Sequence, residues 1–291
     1  MHTRLATRAD RVAIFQLIRG HRRAQLALDW WSLEEWLDAP AAWVVERMGQ
    51  IIAFWLGVQV DSPIVWLRGA AVADHEDAVA LFQQLWPRLA QAVARQGAEQ
   101  VVGMAYGEWL EPVYRAAGFV QRTVVITMQK DDWRIPEIPS ASVRIRRAVL
   151  ADIPRIAEVD RLAFEPIWWY GPTILTRAWH QVPYFIVAEE DKIIGYAFVD
   201  LYGMHGHIVR LAVHPAYQGR AVGAHLLAES LRYLIDLGAY PITLNTQIEN
   251  QASQALYRRF GFRPTGHEIS VWGCSLKGEA SVLQDHKDRM R

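Results

Sequence analysis

The residues of this chain whose types and spacing could do chemistry gather around His207–Glu229, which reads HIVRLAVHPAYQGRAVGAHLLAE. Apolar and β-branched residues through Ile208, Val209, Leu211 and Val213 predict a strand. His214-Pro215 ends it, because proline removes a backbone donor. After a short loop, Gly223, Leu227, Leu231 and Leu234 fall on one stripe of a helix. A strand, a glycine-bearing turn and a helix N-terminus aim free backbone N–H groups and a partial positive charge at one point, which makes an anion site. Downstream, Asn250 is a good helix N-cap, and Tyr257 lies two helical turns on, facing the same side. His207 and His205 share one face of the strand and carry rings that ordinarily titrate near neutrality.

Gln218-Gly219-Arg220-Ala221-Val222-Gly223 resembles the Q/R-x-x-G-x-G/A signature of the GNAT N-acetyltransferase superfamily, and Asn250 to Tyr257 resembles its N-x-x-A-x-x-L-Y run. Ala221 departs from the pattern where the family has its first glycine; alanine fits there if φ is negative and is strained if φ is positive. The resemblance implies acetyl-CoA as co-substrate, with its pyrophosphate on the amides of Gln218, Gly219, Arg220, Ala221, Val222, Gly223 and Ala224. It further implies a pantetheine arm along the main chain of Leu211 and Val213, beside a bulge that composition and spacing do not reveal, and a contact to Asn250. Arg220 adds a charge-assisted bond to phosphate or is a solvated surface arginine.

The same resemblance makes Tyr257 the proton donor to the departing thiolate, a phenol of pKa about 10 facing a thiol of about 8.5; the alternative is packing against Phe260 and Phe262. A glutamate that serves as base in some relatives is replaced by Asn245. His207 takes the place of another family glutamate, four residues before the bulge residue, and is the candidate base, directly or through water; otherwise it only hydrogen-bonds. The acceptor loop of the family corresponds to Glu165, Trp168, Trp169 and Tyr170, which could pair with and stack on an ammonium or instead seal an interface. Attack is expected to be direct, with no covalent enzyme intermediate.

The elements that must position these groups occur twice. Ala6-Thr7-Arg8-Ala9-Asp10 matches Ala148-Val149-Leu150-Ala151-Asp152, Val44 to Phe54 matches Val187 to Tyr196, and Val113-Tyr114-Arg115 matches Leu256-Tyr257-Arg258, at an offset of roughly 142 residues. The expected fold class is α/β (α+β): two tandem GNAT folds, each a mixed, mostly antiparallel sheet flanked by helices. Residues 1–132 form the first, 133–142 a linker with Pro136 and Pro139, and 143–291 the second. The layout is similar to that of mycothiol synthases, whose second domain is the active one. The first copy has Asp74, Glu76 and Asp77 where the second has its glycine loop. It is therefore expected to bind no CoA, and its Tyr114 to be structural.

At 291 residues the length suits two domains, and a hydrophobic content of 52% supplies their cores. Equal numbers of basic and acidic residues, 31 each, give no surplus for nucleic acid or a membrane surface. One cysteine, Cys274, excludes an intramolecular disulfide and offers no metal cluster. The start of the chain has no apolar leader, which predicts a cytoplasmic protein. The expected protein is an N-acetyltransferase acting on a primary amine, small molecule or peptide N-terminus, as a monomer or weak dimer without metal. The competing class is a non-catalytic acyl-CoA-binding or sensor protein.

Overall fold

A computed structural model describes residues 1–277. The chain divides into two compact units, Met1–Thr123 with the described residues from Ile269 on, and Val124–Glu268.

The first unit contains β1 (His2–Leu5), α1 (Arg11–Gly20), β2 (Arg23–Leu26), β3 (Ala42–Arg47), β4 (Gln50–Val58), β5 (Ile64–Val72), α2 (Ala78–Ala94), β6 (Gln100–Ala105) and α3 (Leu110–Ala116). The second contains most of β7 (Val120–Lys130), then β8 (Arg144–Arg147), α4 (Ile153–Ala163), α5 (Pro172–Gln181), β9 (Tyr184–Glu189), β10 (Ile193–Tyr202), β11 (His205–Val213), α6 (Val222–Asp236), β12 (Ile242–Gln247) and α7 (Gln251–Arg259). The last strand, β13, spans Arg263–Ser275.

In the first unit the strand order is β1-β3-β4-β5-β6-β13; in the second it is β8-β9-β10-β11-β12-β7. Among the described pairs within each unit, β5–β6 and β11–β12 are parallel and the rest antiparallel, so both sheets are mixed and mostly antiparallel. The expected division at 132 and 143 differs from this arrangement. Each half lends its last strand to the other sheet: Val125–Lys130 lies antiparallel to β12, and Ser270–Ser275 lies antiparallel to β6. Alternation of side chains identifies a strand but not its partner, and two copies of one sheet offer equivalent edges.

The duplication extends to half-buried polar contacts. Arg4 Nη1 lies 2.7 Å from Asp10 and its Nε 3.0 Å from Glu46, while Arg146 Nη1 lies 2.6 Å from Asp152 and its Nε 2.5 Å from Glu189. Each arginine ties the first strand of a unit to the turn before its first helix and to the hairpin.

In the second unit the Leu226, Leu227, Leu231 and Leu234 stripe of α6 packs on Ile186, Ala188, Ala197 and Val199, with Leu244, Tyr257, Phe260 and Phe262 completing the core. Of the predicted stripe, Leu227, Leu231 and Leu234 are buried and Gly223 is half-buried, with Leu226 joining the buried face; together they anchor the helix whose N-terminus opens on the site. Between β2 and β3 the first copy has a single 3-10 turn at Leu33–Glu35. Among the described residues no helix is long and apolar enough to cross a membrane.

Candidate functional site

In the second unit β10 and β11 pair from Gly195–Val213 to Phe198–Arg210, then shift register so that Val199 faces Ile208. Val209 is therefore a bulge. It lies two residues after His207, not four, so the expected position of His207 relative to the bulge is corrected. On its other edge β11 pairs with β12 only from Gly206 to Ile208. Beyond that point β12 continues beside β7 and β11 beside β10, and the two strands part. Among the described residues no strand covers that edge of Leu211–Val213.

The opening leads to the turn before α6. Gln218 Nε2 donates to Val213 O at 3.1 Å and so fixes the strand end to the loop. Gly219 has φ +75°, a left-handed conformation with no room problem, since nothing lies within 4 Å of its missing Cβ. Ala221 also has positive φ, 61°, and caps α6 without a side-chain acceptor for the first-turn amides. The strained case foreseen for alanine is the one observed. The left-handed conformation costs an alanine about 1 kcal/mol relative to glycine. Ala221→Gly is expected to raise the unfolding free energy by about that amount, read from urea denaturation, with CoA affinity unchanged within threefold.

A cavity of ≈820 Å³ runs along this edge, lined by Leu211, Val213, the whole Gln218–Ala224 loop and Asn250. Asn250 Oδ1 accepts from Ser253 N at 3.1 Å, the expected N-cap. Arg220 is paired with Glu190 at 2.7 Å, and both line the cavity. Ser140–Ser142 of the expected linker also line it, while Ile135, Ile138 and Val143 pack on the core of this unit. The linker is thus a strap against the second unit. The strap is held by Arg259 Nη2 to Glu137 O, 2.7 Å, and by His225 Nε2 against Pro139 O, 3.0 Å.

Tyr257, His207, Glu165, Trp168, Trp169 and Tyr170 do not line the cavity. Tyr257 is buried one turn from Ser253 and meets Phe262 edge-on at 6.1 Å. Burial pushes its phenol up to about 12, against smaller opposing effects of a bond with Ser253 and the charge of Arg210. His207 Nδ1 lies 2.8 Å and His205 Nε2 2.9 Å from the same Thr243 Oγ1. Burial, then the neighbouring His205, lowers the His207 imidazole to about 4, so it does not titrate near neutrality as expected.

This shift fixes the sign of a pH dependence. The unfolded ring takes up a proton below about 6.5, whereas the folded ring does so only near 4, so stability is intact above about 6.5 and falls as pH drops through that window. The loss approaches about 3 kcal/mol. His207→Gln is expected to flatten the difference between urea midpoints measured at pH 7 and pH 4.5.

The acceptor-loop candidates come together beside α4. Pro166–Trp168 is a 3-10 turn whose Trp168 N donates to Glu165 O at 2.8 Å, and Trp169 Nε1 donates to Phe164 O at 2.8 Å. Sequence reasoning missed what holds this loop: Arg210 and Asp160, an ion pair at 2.5 Å with side chains 9% and 0% exposed. The available signals were an arginine inside an apolar strand run and an aspartate on the apolar face of a helix.

The first unit has the same frame with its openings filled. β5 carries the matching bulge at Arg68, and its parallel pairing with β6 stops at Leu67. Here, however, the parted edge is covered: β2 lies antiparallel along it, Arg23 opposite Val72 through Leu26 opposite Gly69. Gln25 spans the gap, with Nε2 donating to Met104 O and Oε1 accepting from Tyr106 N. Arg23 Nη2 donates to Ala73 O, 2.7 Å, and to Asp74 O. The following helix, α2, is capped by Asp77, which accepts from Val79 N and Ala80 N at 2.9 and 3.1 Å.

Comparison with known proteins adds to this geometry. Residues 153–262 match the acetyltransferase (GNAT) family model. N-alpha-acetyltransferase 30 of Schizosaccharomyces pombe is 32% identical over 119 residues, 39% of this chain and 77% of that protein. The mycothiol acetyltransferase of Amycolatopsis mediterranei is 32% identical over 105 residues, 33% of this chain and 34% of that protein. A tandem GNAT protein from the clavulanic acid biosynthesis pathway shares the fold over 94% of this chain and 98% of its own, with a TM-score of 0.66 at 13% identity. The strand that parts from its neighbour and the family match fall on the same stretch of chain, and the protein belongs to the GNAT family of acetyltransferases.

Proposed function

We propose that the second unit transfers acetyl from acetyl-CoA to a primary amine, and that the first unit binds no CoA. One observation carries the reading: the free edge of Leu211–Val213 runs into a helix start that no side chain caps, inside a single cavity. GNAT membership implies acetyl-CoA as donor, and the residues fit it. An extended arm can add to the uncovered strand edge as a further strand would. A diphosphate suits the amides of Gly219–Ala224 at the positive end of α6. Arg220 would exchange Glu190 for phosphate.

Acetyl-CoA supplies a thioester activated towards attack by an amine. The chain does the rest by position and proton handling. Tyr257, protonated at every physiological pH, offers its O–H to the departing sulfur. The attacking amine must lose a proton, and Asn245 cannot take it. We assign that task to His207 in relay. One hydroxyl, Thr243 Oγ1, lies between the two rings, so it donates to one and accepts from the other. A proton taken at His207 Nε2 can leave from Nδ1 through Thr243 to the half-buried His205, with neither ring carrying charge for long. Glu165, Trp168, Trp169 and Tyr170 form the acceptor side, the carboxylate attracting an ammonium and the aromatic rings flanking it. The similarity to N-alpha-acetyltransferases favours the α-amine of a peptide over a small-molecule amine.

The test is calorimetry with CoA followed by thiol release from acetyl-CoA with spermidine, glucosamine and a tetrapeptide bearing a free N-terminal alanine. One CoA per chain and turnover of at least one amine are expected. No heat with CoA overturns the site. One CoA bound with no turnover on the panel moves the reading to an acyl-CoA sensor.

A further inference from the structure

The cluster under the acceptor loop contains more polar chemistry than the fold requires. Arg210, the first residue after the bulge, carries a guanidinium that lies over two rings, its Cζ 3.7 Å from the Phe164 ring centroid and 4.1 Å from that of Tyr170. Its Nε and Nη2 donate to Asp160 Oδ2 at 2.9 and 2.5 Å, and Nη2 also donates to Trp168 O at 2.6 Å. Tyr196 O–H donates to the same Asp160 oxygen, and Asp160 Oδ1 accepts from Tyr170 N at 2.7 Å. Asp160 and Tyr196 are fully buried.

A buried ion pair is weak grounds for stability, since well-packed apolar side chains of similar volume often serve as well or better. What this one does distinctively is end its hydrogen bonds on loop main chain, at Trp168 O and Tyr170 N. Its arginine, meanwhile, belongs to the strand beside the cavity. Phe164 touches both sides: it lines the cavity and stacks on Arg210. The cluster therefore joins helix α4, the acceptor loop and the cofactor strand through one planar group whose Nε and Nη2 are bonded and which lies against two rings.

We propose that Arg210 is a positioning residue that, with Asp160 and Tyr196, fixes the 164–170 loop against β11 so that a bound amine meets the acyl group in register. This rests on the second unit being the transferase, and the test separates the two ideas. Removing Arg210 alone would strand a buried carboxylate, so the informative variant is Arg210→Met with Asp160→Leu, which replaces both charges by apolar groups. Amide exchange at 164–170 is expected to accelerate at least tenfold in it, while α6 and β10 exchange as in the wild type. CoA affinity should stay within threefold, and KM for the amine that the wild type turns over fastest should rise at least tenfold with a smaller change in kcat.

Arg210→Lys provides the control for charge alone. It keeps a cation for Asp160, but an ammonium cannot stack between two rings while also reaching Trp168 O. If the role were charge balance, Lys would restore wild-type loop exchange; it is expected not to. Unchanged exchange at 164–170 in the double variant overturns the proposal. A tenfold loss of CoA affinity with an unchanged amine KM also overturns it, by moving the cluster's role to the cofactor. If no amine is turned over, the transferase reading fails and the exchange measurement still decides this one.

Discussion

Ala221→Asp is expected to weaken CoA binding at least a hundredfold while leaving the protein no less stable than the wild type. The reason is visible within the same chain. Where α2 begins, Asp77 accepts from two first-turn amides, so that helix end already holds an anion of its own. Where α6 begins, Ala221 supplies no acceptor, and the amides and the positive end of the helix remain available. If a diphosphate binds at these amides, a carboxylate about 5 Å away would, at an effective dielectric of about 20, repel it by about 3 kcal/mol per unit charge, more than two decades in affinity. Stability should not suffer, because aspartate tolerates the left-handed conformation better than alanine and favours a helix N-terminus. Calorimetry with CoA and thermal melting measure the two effects separately, and Ala221→Gly is the control that changes the backbone alone. Raising the salt should narrow the gap between the Asp variant and wild type. An affinity within tenfold of wild type would place the diphosphate elsewhere.

The same contrast separates the two copies of the fold structurally. Both units have the bulge and the parted parallel strands, at Val209 and at Arg68. In the first, β2 supplies backbone partners to the edge that the second leaves open, and Gln25 bridges the parted strands. A strand edge without partners is costly unless something pairs with it. The first unit pairs this edge from its own chain, whereas in the second no strand among the described residues pairs with it.

What could be read from sequence divides along the same line. The strand, turn and helix from His207 to Glu229 were legible because each signal is local: β-branched residues, a proline stop, glycines and a leucine stripe. The Asn250 cap and the two-turn spacing to Tyr257 are likewise local. Of the carboxylates Asp74, Glu76 and Asp77 that distinguish the first copy in sequence, it is Asp77 that caps α2. By contrast β2 is only four residues, Arg23-Ala24-Gln25-Leu26, too short for its alternation to stand out, and nothing local says that it pairs with β5. The exchange of last strands depends on which of two similar edges is nearer, which is a property of the folded chain. Arg210 and Asp160 lie 50 positions apart and become a pair only through the packing of α4 on β11. The imidazole of His207 was misjudged because a model-peptide pKa says nothing about burial.

Tyr257→Phe should lower kcat by between ten- and a hundredfold and leave CoA affinity within threefold. The phenol is pushed up to about 12, well above a thiol at about 8.5, so full transfer of its proton to sulfur would be uphill by roughly 3.5 units, about 5 kcal/mol. Tyr257 is therefore better suited to giving a hydrogen bond to the sulfur as charge grows there than to surrendering the proton outright. Such a charge-assisted bond is worth about 1.5–3 kcal/mol, which sets the expected range. Cofactor affinity is spared because the loop amides and the β11 edge are untouched. A small loss of stability, about 1 kcal/mol, is expected from the missing bond with Ser253. The elevated pKa also predicts the shape of the pH profile. The phenol stays protonated up to about 12, so wild-type kcat should show no descending limb from this group below pH 10. An ordinary surface tyrosine would begin to lose activity there. A wild-type descent centred near pH 10 that disappears in the Phe variant would mean that the hydroxyl is solvated and acts by complete proton transfer. Unchanged kcat in the Phe variant would reduce Tyr257 to its packing against Phe262.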